Sequence, residues 1–131
     1  MKATSSLLYE LPTYEDVKID SFRLSVVVPV YNEHHVVEAS LRRVLALEHG
    51  LISSIELIVV DDCSTDGTWE ILERLADEDE RIILLRHQQN QREGAAIRTA
   101  ITRATGDITI GKQLFVHQWR RRKKSILVES D

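Results

Sequence analysis

Two short apolar segments constrain the fold of this chain more than any other feature. Leu24–Val30 has the sequence LSVVVPV and Ile55–Val60 has the sequence IELIVV, and both are aliphatic almost throughout. Runs of this kind are typical of strands whose two faces are both covered, as in parallel sheets. They are also far shorter than the roughly 20 apolar residues that a membrane-spanning helix needs. We therefore expect a buried parallel sheet, with Pro29 near the end of its first strand because proline cannot donate to a strand ladder.

Helical and strand-like segments alternate along the rest of the chain. After Glu33, apolar residues recur at helical spacing until Gly50, and the turn Asp66-Gly67 precedes a second helical segment. The predicted strands are Leu24–Val30, Ile55–Val60, Arg81–Leu85 and Asp107–Ile110, and the predicted helices run from Glu33 towards Gly50, over Thr68–Leu75 and over Gly94–Ala104, with Gly106 ending the last. This order predicts an α/β fold, a mostly parallel sheet with helices on both faces.

Charge divides the chain into parts. Its 131 residues suffice for one domain, in which we expect a lead-in at 1–22, a folded region at 23–110 and a basic divergent tail at 111–131. The tail holds six basic and two acidic residues, so it carries +4 while the first 110 residues carry −8.

The lead-in has acids and no long apolar stretch, which predicts no signal peptide. The single cysteine, Cys63, predicts a reducing, cytoplasmic location.

Two polar clusters follow the first two strands. Pro29-Val30-Tyr31-Asn32-Glu33 lies at the carboxyl end of the first strand, and Asp61-Asp62 comes directly after the second. Ligands of open parallel sheets bind at the carboxyl ends of the strands, so these side chains are candidates for contacting a ribose hydroxyl, a base N–H or the face of a base. The alternative is that the carboxylates only cap the loop before the next helix.

Other classes of site lack their defining residues. The sequence has no G-x-x-x-x-G-K-[ST] motif and no G-x-G-x-x-G motif after the first strand, which argues against P-loop and dinucleotide sites. A receiver domain would need an aspartate after the third strand, where Arg86 and His87 stand. His34 and His35 are adjacent and should point to different sides of a helix, which favours a solvated helix face over a metal site. The run Arg120–Lys124 is interpreted as a solvated tail and not as a nucleic-acid site.

Three motifs resemble the start of a family 2 glycosyltransferase. They are SVVVPVYNE at Ser25–Glu33, ELIVVDDCSTDGTWEIL at Glu56–Leu72 and NQREGAAIRTAITRATGDI at Asn90–Ile108. The resemblance spans about Arg23–Ile110, and the most similar subgroup is the dolichyl-phosphate mannose synthase-like enzymes. It implies a truncated GT-A (Rossmann-like) fold, with a nucleotide-diphosphate sugar lying across the carboxyl ends of the first strands.

The resemblance also implies a nucleotide site, without a catalytic residue in the matched part. Asp62 would accept a hydrogen bond from the base, and Asp61 would support the loop around it. Pro29 and Tyr31 would line the nucleoside pocket, and Glu33 would lie near the ribose or base. Gly94 and Arg98 would lie near the donor.

The end of the matched part departs from the family. Its members hold Mg²⁺ or Mn²⁺ against the diphosphate of a UDP- or GDP-linked sugar with an Asp-x-Asp motif after the fourth strand. Here no Asp or Glu occurs between Asp107 and Glu129, and Glu93 stands where relatives commonly have lysine. The subgroup implies a polyprenyl phosphate acceptor and membrane association for the intact enzyme. We therefore expect a glycosyltransferase chain that is inactive alone, with neither a metal-binding motif nor a nucleic-acid partner.

The sequence leaves two other interpretations open, a nucleotide-binding remnant without turnover and a nonfunctional fragment. The change of pattern near residue 110 is typical of a frameshift or truncation, and translating the encoding DNA downstream of codon 110 in the other frames tests this. Losing most of the fourth strand would expose the apolar edge of Leu24–Val30, which would favour self-association.

Overall fold

The computed structural model describes residues 20–113 and 128–129. Its sheet has the strand order β3-β2-β1-β4-β5, and neighbouring strands pair in parallel throughout. The strands are β1 (Phe22–Val30), β2 (Ile52–Asp61), β3 (Ile82–Arg86), β4 (Ile108–Gln113) and β5 (Val128–Glu129). The helices between them are α1 (Val37–Leu45), α2 (Thr68–Glu78) and α3 (Arg92–Ile101).

Helices cover both faces of the sheet, which confirms the predicted fold class. Side chains alternate between the two faces of a strand, so Val26 and Val28 of β1 pack with α1 and α2, whereas Val27 packs with α3. The buried residues on the α1 and α2 face include Val37, Leu41 and Val44 of α1 and Leu72 and Leu75 of α2. On the other face, α3 packs through two small residues, Ala96 and Ala100.

The order of the strands creates one topological switch point. From β1 the chain moves outward through β2 to β3, and then crosses back over the sheet through α3 to reach β4 on the other side of β1. The direction in which strands are added to the sheet therefore reverses between β1 and its neighbour β4. In open parallel sheets, ligands bind outside the carboxyl ends of the strands at such a point.

All three helices have different bounds from those predicted, and α2 continues past Leu75 to Glu78. α1 begins at Val37 instead of Glu33, because the carbonyl of Glu33 accepts hydrogen bonds from the backbone N–H groups of Val36 and Val37 and closes a turn first. It ends at Leu45, well before Gly50. α3 begins two residues before the predicted Gly94 and ends at Ile101.

Gly106 has a different role from the predicted one. It lies beyond the end of α3 and packs against β1, where an added Cβ would lie 2.5 Å from Ser25 Oγ and 2.8 Å from the carbonyl oxygen of Arg23. Glycine therefore permits the close approach that brings β4 beside β1. The polypeptide at this point is joined to β1 by hydrogen bonds between Asp107 and the main chain of Arg23.

β4 extends past the predicted Ile110 to Gln113 and pairs with Leu24–Val27 of β1. The prediction that the apolar edge of Leu24–Val30 is exposed is therefore wrong for Leu24–Val27, which pair with β4.

The basic run Arg120–Lys124 lies outside the described residues. Among the helices of the part that the structure describes, none has the length and apolar character needed to cross a membrane.

Candidate functional site

Three strands end level at one edge of the sheet. Val30 of β1 pairs with Asp61 of β2, and Asp61 pairs with Arg86 of β3. The loops that follow these residues therefore lie side by side at the carboxyl ends of the strands, next to the switch point, and we call the space outside them the crevice. In the first predicted cluster, Tyr31-Asn32-Glu33 lies in the loop after β1, whereas in the second cluster Asp61 is the last residue of β2 and Asp62 is the first residue of the loop.

Tyr31 and Asp62 lie side by side in the crevice. The backbone N–H of Asp62 donates a hydrogen bond of 2.8 Å to the carbonyl of Val30, the residue before Tyr31. Tyr31 is 43% exposed, so its ring is available to a ligand. The two residues leave neighbouring strands at the same end of the sheet, which is the arrangement that a nucleoside site would require.

The buried carboxylate of Asp62 lies at the start of α3. Its Oδ1 is 2.8 Å from His87 Nδ1 and accepts a hydrogen bond of 2.8 Å from the backbone N–H of Gln91. Its Oδ2 accepts a hydrogen bond of 2.6 Å from the backbone N–H of Arg92. The Asp62 carboxylate therefore holds the start of α3, whereas the alternative was that it caps the loop before the next helix, α2. An ionised carboxylate has about four acceptor positions, and these three contacts leave one acceptor position of Oδ2 unused.

Asp61 is fully buried and shapes the loop that carries Asp62. Its carboxylate accepts hydrogen bonds from the backbone N–H and the hydroxyl of Ser64, three residues further on. Arg86 Nε lies 3.3 Å from Asp61 Oδ2 and supplies the compensating positive charge. A buried carboxylate needs such partners, because an unpaired charge inside a protein is costly.

Arg86 was not among the predicted site residues. Its guanidinium lies 4.6 Å from the centre of the Trp69 ring and donates a hydrogen bond of 3.2 Å to the carbonyl of Ser64. It therefore ties the end of β3 to the loop after β2 and to α2. Its position directly after a predicted strand, at the same sheet edge as Asp61, was the signal in the sequence.

The loops after β1 and β2 are joined by reciprocal hydrogen bonds. The backbone N–H of Asn32 donates to Ser64 Oγ, and the side-chain oxygen of Asn32 accepts from the backbone N–H of Thr65, both at 2.8 Å. The backbone N–H of Glu33 donates to Thr68 Oγ1 at 3.0 Å. The two predicted clusters therefore form one unit of structure.

Two carboxyl groups of this unit have opposite pKa shifts. Burial, with a smaller contribution from the nearby charge of Asp66, raises the pKa of the half-buried Glu33 to about 7. Burial also acts to raise the pKa of Asp66, but hydrogen bonds from Thr68 and His34 outweigh it and lower this pKa to about 2. Glu33 therefore changes charge near neutral pH, while Asp66 stays ionised.

His34 and His35 do not occupy opposite sides of a helix, so that prediction is wrong. They lie in the turn before α1, and their rings contact each other with centroids 3.8 Å apart. His34 Nδ1 also lies 2.7 Å from Asp66 Oδ2. Among the described residues there is no group of three or more His, Cys, Asp or Glu that could hold a metal ion.

Three non-glycine residues in the crevice have a left-handed backbone. Asn32 follows β1 with φ 49°, Cys63 follows β2 with φ 70°, and Arg92 begins α3 with φ 77°. L-amino acids other than glycine adopt this region at a cost of about 1–3 kcal/mol each, and such residues cluster at ligand sites. The loop after β1, the loop after β2 and the start of α3 therefore each contain one left-handed residue.

The remaining predicted residues flank this centre. Gly94 lies in the first turn of α3, where an added Cβ would be 3.5 Å from an Nη atom of Arg98. The Arg98 side chain therefore folds back along α3 towards the start of the helix. Pro29 is buried one residue before the end of β1 and pairs with Val60. It lies inside the strand, close to the predicted exit.

The opposite end of the sheet is occupied by a structural cluster. Glu56 of β2 accepts hydrogen bonds from Ser25, from Arg23 and from the backbone and hydroxyl of Thr105. Burial acts to raise the pKa of Glu56, but these hydrogen bonds lower it to about 2. A polar surface cavity beside it includes Arg23, Glu56 and Arg81. These groups join β1, β2 and the approach to β4, and contain none of the predicted site residues.

Comparison with known proteins gives one family and several structures. The model of the family described as glycosyl transferase family 2 matches residues 25–111. The undecaprenyl-phosphate 4-deoxy-4-formamido-L-arabinose transferase of Photorhabdus laumondii is 35% identical over 99 residues, which are 75% of this chain and 29% of that protein.

Two solved structures have the same fold. The mannosyltransferase PcManGT from Pyrobaculum calidifontis, in complex with GDP-Man and Mn²⁺, aligns with a TM-score of 0.62 and 26% identity over 84% of this chain and 33% of its own. TarS from S. aureus, in complex with UDP, aligns with a TM-score of 0.62 and 25% identity over 70% of this chain and 27% of its own. The chain spans between about a quarter and a third of the length of these proteins.

Proposed function

Because this chain belongs to glycosyl transferase family 2, we propose that its crevice binds the nucleoside of a nucleotide-diphosphate sugar. The nucleotide-binding region is 23–110, between a lead-in at 1–22 and a basic tail at 111–131. The observation that supports the proposal best is the pairing of an exposed aromatic ring, Tyr31, with a buried acceptor, Asp62, on neighbouring strands at the switch point.

The two residues provide complementary contacts for a nucleobase. The Tyr31 ring would pack against the face of the base, and Asp62 Oδ2 would accept a hydrogen bond from a base N–H. Uracil and guanine both carry such N–H groups, and the solved relatives were complexed with UDP and GDP-Man. We therefore propose a UDP- or GDP-linked donor.

The other predicted residues would act around this pair. Asp61 supports the loop through Ser64 and Arg86, while Pro29 lies beneath the loop that carries Tyr31. Glu33 would lie near the ribose or base, and its raised pKa would reduce the repulsion of a nearby diphosphate below neutral pH. Arg98 folds towards the start of α3 beside Gly94 and would add a positive charge there.

For the intact enzyme we propose sugar transfer by inverting displacement. The acceptor oxygen attacks the anomeric carbon while the bond from this carbon to the diphosphate breaks, and the diphosphate leaves with the bonding electrons. A polyprenyl phosphate is the proposed acceptor, in line with the name of the Photorhabdus relative. Membership of the dolichyl-phosphate mannose synthase-like subgroup is part of this proposal, as is a cytoplasmic location.

The residues present do not fit the divalent metal of the family. The described part contains no cluster suited to a metal ion, and no carboxylate occurs between Asp107 and Glu129. We therefore propose that this chain binds nucleotide but does not complete transfer alone, and that the sequence from about residue 111 departs from the family through a change of frame. The purified chain can be supplied with UDP- or GDP-sugars, polyprenyl phosphate and Mg²⁺ or Mn²⁺. Sugar transfer under these conditions would overturn the proposal that the chain does not complete transfer alone.

Calorimetry with UDP and GDP tests the nucleoside site. Tyr31→Ala should weaken binding about tenfold, since stacking of an aromatic side chain on a base contributes about 1–3 kcal/mol. Leu47→Ala is the matched control, because Leu47 is 48% exposed and Tyr31 43%. Absence of binding by the wild type, or equal affinities of the two variants, would refute the proposed site. Binding that is equally strong without metal would favour a nucleotide-binding remnant.

A further inference from the structure

A buried histidine connects the proposed base acceptor to α3. The His87 side chain is 9% exposed and follows β3 directly. Its Nδ1 lies 2.8 Å from Asp62 Oδ1, and its Nε2 lies 2.9 Å from Thr99 Oγ1. Its backbone N–H also donates a hydrogen bond of 2.9 Å to the carbonyl of Asp61. One residue thus joins the ends of β2 and β3 to the last turn of α3.

These contacts determine where the ring carries its proton. An ionised carboxylate can only accept hydrogen bonds, so Nδ1 must carry a proton to bond with Asp62. The Thr99 hydroxyl can donate to an unprotonated Nε2 or accept from a protonated one. Nδ1 therefore carries a proton whether Nε2 accepts a hydrogen bond from Thr99 or donates one to it.

The hydrogen bond also limits the orientation of the carboxylate. His87 and the backbone N–H of Gln91 both bond to Oδ1 of Asp62. This arrangement leaves Oδ2, which accepts from Arg92, as the oxygen with a free acceptor position. Without the ring, the carboxylate would be held only by the two backbone N–H groups at the start of α3, and its rotation would be less restricted.

We propose that His87 is a positioning residue, which holds Asp62 in the orientation that accepts the N–H of a nucleotide base. This inference rests on the proposed function. His87 acts through Asp62, while Thr99 sets the tilt of the ring through Nε2. The ring's contribution is therefore directional, and a side chain that only fills the same space does not replace it.

Two amide substitutions separate the two ring nitrogens. In His87→Asn the amide nitrogen can occupy the place of Nδ1 and donate to Asp62, whereas in His87→Gln it reaches towards Nε2 and Thr99. With UDP and GDP as probes in calorimetry, His87→Asn should bind within about threefold of the wild type. His87→Gln and His87→Ala should bind about tenfold more weakly, the loss expected for one hydrogen bond to a charged group. Urea unfolding of each variant establishes the folded fraction at which affinities are compared.

Equal losses in His87→Asn and His87→Gln, or unchanged affinity in His87→Ala, would overturn the positioning role while leaving the nucleoside site in place. Nitrogen-15 NMR of the wild-type imidazole supplies a second readout that needs no variant. It should show a protonated Nδ1 for His87, and an Nε2–H neutral ring would also overturn the proposal. If the wild type binds neither UDP nor GDP, the proposed function and the binding role of His87 both fail, and the NMR signal then reports only the link between His87 and Asp62.

Discussion

The main chains of Val30 and Asp62 are joined by a hydrogen bond of 2.8 Å, one residue beyond the last paired position of β2. This bond extends the pairing of β1 and β2 into the crevice. It keeps the loops from separating at the point where Tyr31 and Asp62 leave the sheet. The relative position of the proposed base-binding residues is therefore set by backbone geometry, and the side chains around Asp62 adjust its orientation.

Replacing Asp62 with asparagine should destabilise the fold. The amide nitrogen of Asn would face donors from His87, Gln91 or Arg92, and at least one buried N–H would lose its acceptor. The expected loss in free energy of unfolding is about 1–3 kcal/mol. Urea unfolding at neutral pH measures it, and Asp77→Asn on the exposed side of α2 is the matched control. Similar midpoints for the two variants would contradict the buried hydrogen bonds of Asp62.

Gly106 should not tolerate a methyl group. In Gly106→Ala the new Cβ would lie 2.5 Å from Ser25 Oγ and 2.8 Å from the carbonyl of Arg23, so β4 would have to move away from β1. We expect a destabilisation of about 1–3 kcal/mol by thermal or urea unfolding. Gly50→Ala should be nearly neutral, since no atom lies within 4 Å of a Cβ at that position. A neutral Gly106→Ala would show that β1 and β4 are not held this closely.

Glu56 should make the protein sensitive to acid. Its pKa is about 2 in the folded state against an ordinary value of 4.5, so its contribution to stability is complete above pH 4.5 and declines as the pH falls towards 2. Glu56→Gln should flatten the fall in urea midpoint between pH 5 and pH 2.5, and should cost about 1–3 kcal/mol at pH 7.

Glu73→Gln, at an exposed position of α2, should keep the wild-type profile over the same pH range. Asp66 has a lowered pKa as well, so some acid sensitivity should persist in Glu56→Gln. Profiles of equal slope for Glu56→Gln and the wild type would show that Glu56 contributes no acid sensitivity.

Glu33 should have the opposite pH dependence. Burial and Asp66 raise its pKa to about 7, so the folded state holds a proton that the unfolded state has lost, and stability declines as the pH rises from 4.5 to 7. Glu33→Gln should therefore raise the melting temperature by a few degrees at pH 8 and change it little at pH 4. A variant that melts lower than the wild type at pH 8 would show that the ionised carboxylate is favourable in the fold.

The sequence was informative where structure depends on local pattern. Continuous aliphatic runs predicted β1 and β2, and helical spacing predicted the buried face of α1. The start of α1 was misplaced because the turn that precedes it depends on the carbonyl of Glu33, which no side-chain pattern reveals. The ligand-binding roles of seven residues remain predictions, and these residues are Pro29, Tyr31, Glu33, Asp61, Asp62, Gly94 and Arg98.

Contacts between distant segments could not be predicted. His87 contacts Asp62 and Thr99, which are 25 and 12 residues away, through the pairing of β2 with β3 and the packing of α3. Gly106 looked like the end of a helix because a glycine after a helical pattern usually has that role. Its contact with Ser25 lies 81 residues away in the chain and depends on how β4 enters the sheet.

The central place of β1 has a consequence for biosynthesis. Its partner in β4 lies far downstream, with Leu24 paired to Ile108. At about 5–20 residues per second, a ribosome needs roughly 4–17 seconds to translate the intervening codons. Throughout that interval the nascent chain can pair β1 only on the side of β2. The apolar central strand of the sheet is therefore the first of the described strands to be synthesised and among the last to be paired on both of its edges.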